Sequence, residues 1–283
     1  MSSVLIAGCG YLGTTTGLLF AALGHEVFGL RRDPSGLPDA IAPLTGDLTD
    51  PGGLELPAVD WLVYAAAAGG RTDERYQAIY PRGLSNVLGA LPRMPERTLF
   101  VSSTAVYGDA DGGWVDETTR TTPDGFNGKR LLEAEALLAR ADTDGIALRL
   151  GGIYGPGRTR LIESVLNGES DLPAGPRLFT NRIHRDDAAL ADAHLLELDA
   201  PEALYNGVDR EPAAQAEVLT WLADRRPRVT DDAARTARGN KRVSSERLVT
   251  SGFDFRYPTF REGYEALIEG LGESTWSSGE RRR

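Results

Sequence analysis

The sequence predicts an α/β fold with a doubly wound parallel sheet, and three observations support this class. Short apolar runs recur through the first half of the chain and are typical of strands buried on both faces. The segments between them are long enough for crossover helices, and a glycine-rich turn directly follows the first run. Such sheets bind ligands at the carboxyl ends of their strands, so we expect a site there. The predicted strands are residues 4–7, 27–30, 61–65, 98–101 and 146–150.

The turn GCGYLG follows the first strand and opens an apolar helical pattern. In this context the spacing G-x-G-x-x-G indicates a Rossmann-type dinucleotide-binding domain. We expect Gly8 to form the tight turn, Gly10 to admit the pyrophosphate and Gly13 to let helix pack on strand. Tyr11 and Leu12 begin the helix, whose N-terminus would present N–H groups to the anion. An ordinary glycine-rich turn is the alternative.

The second predicted strand ends at Leu30, where the charge pattern distinguishes two cofactors. An Asp or Glu at this place commonly binds the ribose hydroxyls of NAD. Arg31 and Arg32 stand there instead, and guanidinium groups suit the 2′-phosphate of NADP. Asp33 follows directly, which keeps NAD open. We therefore expect NADP as the cofactor, with NAD as the alternative.

Two further strand ends are expected to touch the dinucleotide. A further strand is expected between the strands at 27–30 and 61–65, the third in chain order, and Asp47 and Leu48 follow it. An acidic side chain there could meet the adenine amino group; a turn or helix cap is the alternative. The fourth strand ends in Ala65, Ala66 and Ala67, whose small side chains would leave room for the cofactor backbone. Simple packing is the competing interpretation of these alanines.

The regular alternation fades after the GPG turn at 155–157, which predicts a second, small C-terminal α/β lobe for substrate. Helices are expected within it at residues 214–223 and 264–271, and another at 131–141 in the first unit. The predicted division is residues 1–155 with 181–208 for the dinucleotide-binding domain, 156–180 with 209–272 for the small lobe, and 273–283 for a disordered tail.

Composition narrows the classes of function. The 283 residues carry 41 acidic and 31 basic side chains, a formal net charge of −10, which argues against nucleic-acid binding. No basic leader and no long apolar stretch occur, so we expect a cytoplasmic protein without a membrane span. One cysteine excludes an internal disulfide, and three scattered histidines predict no metal site. The expected partner is a small-molecule substrate.

Six motifs occur in an order that is similar to one enzyme superfamily. Over most of residues 1–208 the chain resembles the extended and atypical short-chain dehydrogenase/reductases of the NAD-dependent epimerase/dehydratase type. The turn has one residue fewer between its first two glycines than extended members usually have, which favours an atypical branch. The matching segments are residues 8–13, 46–48, 101–108 (VSSTAVYG), 134–135 (AE), 149–157 (RLGGIYGPG) and 183–187 (IHRDD).

The resemblance implies a proton-transfer site made of a Tyr, a Lys four residues later, and a Ser or Thr. The Lys lowers the pKa of the Tyr phenol, and the hydroxyl orients the substrate oxygen. Ser103 matches the Ser/Thr position, with a strand-end cap as its alternative role. Aligned on Gly128, the Tyr position holds Asn127 and the Lys position holds Leu131. Neither side chain can transfer a proton, so the pair is predicted to be missing.

Other residues could take over parts of this site. Tyr107 could act as the acid, although the resemblance also implies a structural role for it. Arg130 could contact the cofactor in place of the missing Lys, with an exposed helix-face arginine as the alternative. Tyr154 is expected near the nicotinamide, unless it only stiffens its loop.

Two polar segments each allow two roles. We expect Asp186 and Asp187 to cap a helix that begins at Ala188, with a catalytic His184 as the minor alternative. The basic cluster at 240–242 could meet a phosphate or carboxylate of the substrate, or balance neighbouring acids.

These features predict an NADP-dependent oxidoreductase or epimerase that acts on a hydroxyl or carbonyl group, for example of a sugar nucleotide. Its predicted catalytic residues are Ser103 and Tyr107. The alternative is a non-catalytic NAD(P)-binding redox sensor or regulatory protein, because a fold alone does not establish chemistry. The helix after Gly128 could pair two copies into a homodimer, as the resemblance implies, although its Glu133 and Glu135 equally suit solvent.

Overall fold

Seven parallel strands form the central sheet of the protein. The computed structural model describes residues 1–166, 178–225 and 239–271. In these ranges the strands are β1 (Ser3–Ala7), β2 (Glu26–Arg31), β3 (Ala42–Thr45), β4 (Trp61–Tyr64), β5 (Arg97–Ser103), β6 (Trp114–Val115), β7 (Asp144–Leu150), β8 (Gly152–Tyr154), β9 (Phe179–Thr180), β10 (Arg182–His184), β11 (Leu204–Gly207), β12 (Ala213–Ala214) and β13 (Arg242–Val243). The helices are α1 (Tyr11–Ala22), α2 (Asp73–Gln77), α3 (Gly83–Ala90), α4 (Phe126–Leu138), α5 (Arg160–Leu166), α6 (Arg185–Glu197), α7 (Gln215–Asp224), α8 (Glu246–Thr250) and α9 (Phe260–Leu271).

The central sheet has the order β11-β7-β5-β4-β1-β2-β3, and each neighbouring pair is parallel. The chain builds outward from β1 to β3 and then starts again at β4, on the other side of β1. The carboxyl ends of β1 and β4 therefore lie side by side at the point where the order reverses, and ligands bind in such crevices. The predicted doubly wound α/β fold is confirmed.

Side chains of β1 alternate between two apolar clusters. Val4 and Ile6 pack into one cluster with Phe20 of α1, whereas Leu5 packs into the other with Leu84 of α3. All five side chains are fully buried, and each such burial contributes roughly 1.5–3 kcal/mol. This two-sided burial explains why the strand is apolar throughout rather than alternating.

Two helices begin several residues before their predicted positions. The helix predicted at 131–141 is α4, which begins at Phe126 behind the extended residue Gly125 and ends at Leu138. The helix predicted at 264–271 is α9, which begins at Phe260. In both helices polar residues and a glycine occupy most of the first turn, so the apolar pattern used for the prediction begins only after it.

The capping prediction for Asp186 and Asp187 was wrong. Helix α6 begins at Arg185, and its N-cap is His184, whose Nδ1 accepts a hydrogen bond from the Asp186 N–H at 3.2 Å. Asp187 is fully buried and accepts hydrogen bonds from the backbone N–H groups of residues 256 and 257, at 2.8 and 3.0 Å. Because the imidazole of His184 acts as the N-cap, the carboxylate of Asp187 can instead hydrogen-bond to the backbone at residues 256 and 257.

The sequence does not predict β11, which pairs with β7 at one edge of the sheet. This strand has four residues and includes Asn206 and Gly207, types that are depleted in strands. Both are buried in the structure. Pairing with a distant strand therefore decides the conformation, against local preference.

A third apolar cluster is distinct from the two that cover the sheet. It joins Tyr154 to Ile162 of α5, Val218 of α7 and Phe260 of α9. The short pairs β8–β10 and β9–β12 connect these elements to the rest of the chain. The two-lobe division stays a prediction, and its tail at 273–283 lies outside the described residues.

Within the described ranges, the helices are too short or too polar to cross a membrane.

Candidate functional site

A cavity of about 1000 Å³ opens at the carboxyl ends of the central strands. It lies at the switch point between β1 and β4, where the fold predicts ligand binding. Its volume is at the upper end of the range for small-molecule and cofactor sites, about 300–1000 Å³. The predicted residues that line it are Gly8, Gly10, Tyr11, Leu12, Arg31, Arg32, Asp47, Leu48, Ala65, Ala66, Ala67 and Ser103.

The three glycines of the turn meet different steric demands. Gly8 has φ +90°, and a Cβ there would lie 2.5 Å from backbone atoms of Ala66. A Cβ at Gly13 would lie 2.7 Å from the carbonyl oxygen of Gly8. At Gly10 the closest atom would be 3.9 Å away. Gly8 and Gly13 are thus needed by the protein itself, whereas Gly10 leaves open space for a ligand.

Helix α1 points its N-terminus at this open space. Gly10 is the N-cap, and the first turn contains no acidic residue. The first N–H groups of a helix have no partner within it, and the helix dipole adds positive potential. The N–H groups of Gly8 and Cys9 both donate to the carbonyl of Leu30 at 3.1 Å, which fixes the turn on β2. The turn is therefore rigid and suited to an anion.

Arg31 and Arg32 lie at the end of β2 and line the cavity. The Nη1 of Arg31 donates to the carbonyl of Cys9 at 3.5 Å. Asp33 accepts hydrogen bonds from the hydroxyl and the N–H of Ser35, at 2.6 and 3.0 Å, and these bonds lower the pKa of Asp33. The carboxylate of Asp33, which follows the two arginines in the chain, is thus engaged in its own turn.

Asp47 and Leu48 also line the cavity, and each has a local partner. Asp47 accepts hydrogen bonds from the N–H and hydroxyl of Thr49 at 2.9 and 2.8 Å, which lower its pKa. The carbonyl of Leu48 accepts from Asn86 Nδ2 at 2.9 Å. These contacts support the turn interpretation of Asp47, while its place in the lining leaves a contact with adenine open to it.

At the opposite end, the lining continues through Ser102 and Ser103 of β5. The Ser103 hydroxyl oxygen accepts a hydrogen bond from the Ala105 N–H at 3.2 Å and caps a short 3₁₀ turn. The Ser102 hydroxyl donates to Glu135 Oε1 at 2.6 Å. Ser103 therefore has its own O–H to offer to a ligand, whereas Ser102 uses its O–H inside the protein.

The two positions that the resemblance assigns to a Tyr and a Lys differ in their surroundings. Leu131 lines the cavity and is 3% exposed. Asn127 is partly exposed on α4 and does not line it. Leu131 thus adds an apolar side chain to a lining that also contains Leu150 and Ile153.

Tyr107 does not line the cavity, because its side chain belongs to a buried polar network. Its phenol donates to Asn206 Oδ1 at 2.9 Å and accepts from Arg149 Nη1 at 3.0 Å. Arg149 also forms an ion pair with Glu135 at 2.6 Å. Burial raises the pKa of Tyr107. The phenol of Tyr107 therefore has both a hydrogen-bond acceptor and a donor inside the protein, and a substrate is not needed to explain its burial.

Arg130 and Tyr154 also lie outside the lining. Arg130 forms an ion pair with Asp73 at 2.7 Å, which ties α4 to α2, and another with Glu133 of its own helix at 2.8 Å. The ring of Tyr154 packs 4.6 Å from that of Tyr264, centroid to centroid, inside the third apolar cluster. Long-range partners thus hold both side chains away from the place that their sequence position indicated.

Several cavity residues were not singled out by the sequence, and three of them carry long polar side chains. Arg158 follows the GPG turn, Arg75 lies on α2, and Tyr80 lies on a π-helical segment at residues 78–82. The Nη1 of Arg75 donates to the carbonyl of Gly69 at 3.3 Å, and burial raises the pKa of Tyr80 to about 12. The two glycines that flank Pro156 could have predicted a chain reversal, and this reversal brings Arg158 to the cavity.

His184 and Lys241 have structural partners. Burial lowers the pKa of His184 to about 4, so its imidazole is neutral and able to accept the capping bond. Lys241 is 6% exposed, and its Nζ donates to the carbonyl of Tyr107 at 2.9 Å. Across the residues that the structure covers, no three His, Cys, Asp or Glu side chains are grouped to hold a metal ion.

Comparison with known proteins assigns the chain to a family. The model of the NAD dependent epimerase/dehydratase family matches residues 4–172. The chain belongs to this family. The matched region contains the glycine turn and Ser103, and the predicted resemblance is confirmed at this level.

Individual relatives cover most of the chain. A solved Methylobacillus flagellatus protein, classed with the NAD-dependent epimerase/dehydratases, is 40% identical with a TM-score of 0.83, over 96% of this chain and 99% of its own. The 3-diazoavenalumate denitrifying reductase of a Streptomyces species is 30% identical over 256 residues, 78% of this chain and 80% of that protein. Human epimerase family protein SDR39U1, solved with NADPH, shares the fold at 21% identity and a TM-score of 0.75, over 95% of this chain and 100% of its own.

Proposed function

We propose that the protein is an NADP-dependent oxidoreductase or epimerase that acts on a hydroxyl or carbonyl group of a small molecule, for example a sugar nucleotide. The observation that carries this proposal is the cavity, whose lining joins the glycine turn to Ser103. Family membership supports a nicotinamide dinucleotide as the ligand. The Streptomyces relative is a reductase, which is consistent with redox chemistry.

The residues of the turn fit a dinucleotide. The open side of Gly10 and the N-terminus of α1 would accept the pyrophosphate, because Gly10 leaves space and the first turn of the helix offers N–H groups. Arg31 and Arg32 would bind the 2′-phosphate. The carboxylate of Asp33 stays ionised, but it accepts from the hydroxyl and the N–H of Ser35, so it is not free to bind the ribose hydroxyls. This arrangement favours NADP, and NADPH is the ligand of the human structural neighbour.

Ser103 would orient the substrate. A bound nicotinamide would exchange a hydride with the carbon of the hydroxyl or carbonyl group. The Ser103 O–H would donate to the substrate oxygen, while the N–H of Ala105 holds the hydroxyl in place. Leu131 and Leu150 would exclude water from this end, which strengthens the remaining electrostatic contacts.

A second candidate function is supported by Leu131 itself. Its side chain lines the cavity at the position where the resemblance implies a Lys, and Asn127 offers no acid. A protein that kept the dinucleotide site and lost this chemistry would be a redox sensor or regulatory protein. Binding without turnover would distinguish it from the enzyme.

The two candidates are separated by following NADPH oxidation with a panel of carbonyl compounds and sugar nucleotides. For the enzyme, Ser103→Ala should lower kcat by about 100-fold while the Kd of NADPH is unchanged. Ser103→Thr keeps a hydroxyl and is the matched control, so it should retain most activity. NADPH binding with no turnover of any compound would favour the sensor.

We also propose that two copies associate through α4. A groove of about 730 Å³ separates α3 from α4 and is lined by apolar side chains that include Leu88, Met94 and Leu137. Sedimentation of the purified protein should then show a dimer. A monomer at all concentrations would contradict this.

A further inference from the structure

Arg158 is placed over the glycine turn by a tight reversal of the chain. Its N–H donates to the carbonyl of Gly155 at 2.9 Å, and Gly157 has φ +79°, a conformation that favours glycine. A Cβ at Gly155 would lie 3.0 Å from the hydroxyl oxygen of Tyr11, so the reversal sits directly against that side chain. The guanidinium carbon of Arg158 lies 4.0 Å from the centroid of the Tyr11 ring. The two side chains therefore form a stacked pair that lines the cavity.

Arg158 has no carboxylate partner among the residues that the structure describes. Arg185 also lies near this ring, 5.3 Å from its centroid, and is paired with Asp186 at 2.9 Å. The two arginines thus differ in one respect that matters for ligands. The charge of Arg185 is paired with the carboxylate of Asp186, whereas the charge of Arg158 is available to pair with an anionic ligand.

One anionic group of the proposed ligand would lie close enough to pair with this charge. Tyr11 is the first residue of α1, and a dinucleotide pyrophosphate, with two negative charges, is expected at Gly10 and this helix N-terminus. Arg31 and Arg32 lie at the end of β2 instead, where the 2′-phosphate is expected. A flat guanidinium that stacks on an aromatic ring can still donate from its edge, which suits a phosphate.

We propose that Arg158 binds the pyrophosphate of the dinucleotide and that the ring of Tyr11 positions its guanidinium for this contact. The proposal rests on the proposed function, because it requires a dinucleotide in the cavity. It adds that Arg158, at the start of the predicted small lobe, also binds the cofactor. The glycine turn and this lobe would then both contact the pyrophosphate.

One consequence distinguishes Arg158 from the arginines of β2. The pyrophosphate is common to NADPH and NADH, so loss of Arg158 should weaken both ligands by the same factor. Loss of Arg31 and Arg32 should weaken NADPH alone. The two sets of variants therefore give different patterns in the same pair of titrations.

The test is equilibrium binding of NADPH and NADH to the full chain. Arg158→Ala should weaken each by about tenfold or more, the usual size of a lost charge-assisted contact. The matched control is Arg160→Ala, which removes the same charge two residues away from a side chain that does not line the cavity. Its affinities should stay within about twofold of wild type, since distant surface charge is screened by salt.

The outcomes separate this inference from the proposed function. Wild type that binds neither dinucleotide overturns both. Wild type that binds, with Arg158→Ala equal to Arg160→Ala, overturns the role of Arg158 and leaves the proposed function standing. Both arginines are exposed, and equal thermal unfolding of the two variants would show that folding is intact.

The positioning role of Tyr11 has its own readout. Tyr11→Phe keeps the ring and should bind like wild type, whereas Tyr11→Leu should weaken both dinucleotides by several-fold. Adding Arg158→Ala to Tyr11→Leu should cost less than the product of the two single losses, because both remove one contact. Fully multiplicative losses would overturn the positioning by Tyr11.

Discussion

The two ends of the cavity differ in how well their residues match the chemistry expected of the family. At the phosphate end, the glycine turn, the N-terminus of α1 and the arginines of β2 occupy the places that the motif predicts. At the nicotinamide end, Ser103 is present, but Leu131 stands where an ammonium group is expected. On the proposed function, the residues expected to bind the dinucleotide are thus present, while the positions that the resemblance assigns to a Tyr and a Lys hold Asn127 and Leu131.

This difference shows that binding and catalysis rest on separate constraints in one cavity. Gly8 and Gly13 are required by backbone geometry, so the turn needs them whatever reaction the site performs. A catalytic pair is required only by the reaction, and an apolar Leu131 is compatible with the fold. The predictions that follow probe first the turn, then the helix behind it, and then the residues that lie outside the lining.

The largest effect is expected for Gly8→Ala. The new Cβ would lie 2.5 Å from the backbone of Ala66 in a left-handed conformation, so the turn must move. A shift of this kind at a binding turn should lower NADPH affinity by about 100-fold or more. Titration of NADPH with the purified variant measures this.

The matched control for this change is Gly24→Ala. Gly24 has nearly the same φ, +89°, but a Cβ there would have nothing within 4 Å. It should therefore lose only the conformational cost, about 1–2 kcal/mol of unfolding free energy, and keep its NADPH affinity. Equal affinity losses in both variants would show that strain, rather than the turn, explains the effect.

The second prediction concerns the contact between α1 and α6, behind the turn. The hydroxyl of Thr16 donates to Asp192 Oδ2 at 2.7 Å, and Asp192 is fully buried. Burial raises the pKa of Asp192 from 3.8 to about 7. The folded state therefore holds a proton that the unfolded chain releases, and the free energy of unfolding should fall between about pH 4 and pH 7. The loss from this group is at most about 4 kcal/mol.

Asp192→Asn removes this titration while keeping the shape of the side chain. Its free energy of unfolding should vary less with pH than that of wild type and should exceed it above about pH 7. Asp186→Asn, on the same helix but partly exposed, is the control. Parallel pH profiles for wild type and Asp192→Asn, measured by urea unfolding, would rule out a protonated Asp192.

The third prediction tests whether Tyr107 acts only through structure. Tyr107→Phe leaves Arg149 and Asn206 without their shared partner, so the free energy of unfolding should fall by about 1–3 kcal/mol. NADPH affinity should not change, and turnover of any substrate found should stay within about threefold. A loss of turnover by 100-fold at full stability would instead restore Tyr107 as the acid.

The smallest effect is expected for Arg130→Ala. Its ion pairs with Asp73 and Glu133 are partly exposed, so their loss should cost below about 1 kcal/mol in thermal unfolding. NADPH affinity should be that of wild type. A clear loss of affinity would show that Arg130 reaches the cofactor after all.

The sequence placed the glycine turn and the arginines of β2 at the cavity correctly because the determinants of their positions are local. The glycine spacing, the following helix and the residues at the end of β2 lie within the first 33 positions, and strand ends of a parallel sheet meet at one edge. Leu131 could be placed because α4 begins only a few residues before it. The fold class followed from the same strand pattern.

The rest depended on partners that are distant in sequence. Tyr107 is fixed by Asn206, which is 99 residues away on a strand that the sequence did not indicate. Tyr154 follows a sheet strand, but its ring packs on α9 in the third apolar cluster. Arg158 reaches the cavity through a reversal whose geometry depends on contact with Tyr11. No local pattern reports such packing.

The most direct measurement is a pair of equilibrium titrations, NADPH and NADH, of wild type and of the variant Arg31→Ala with Arg32→Ala. We expect wild type to bind NADPH more tightly, and the variant to lose about tenfold or more in NADPH affinity with little change for NADH. Equal losses for both ligands would contradict the assignment of the arginines to the 2′-phosphate. Failure of wild type to bind either dinucleotide would contradict the claim that the phosphate end is a working binding site.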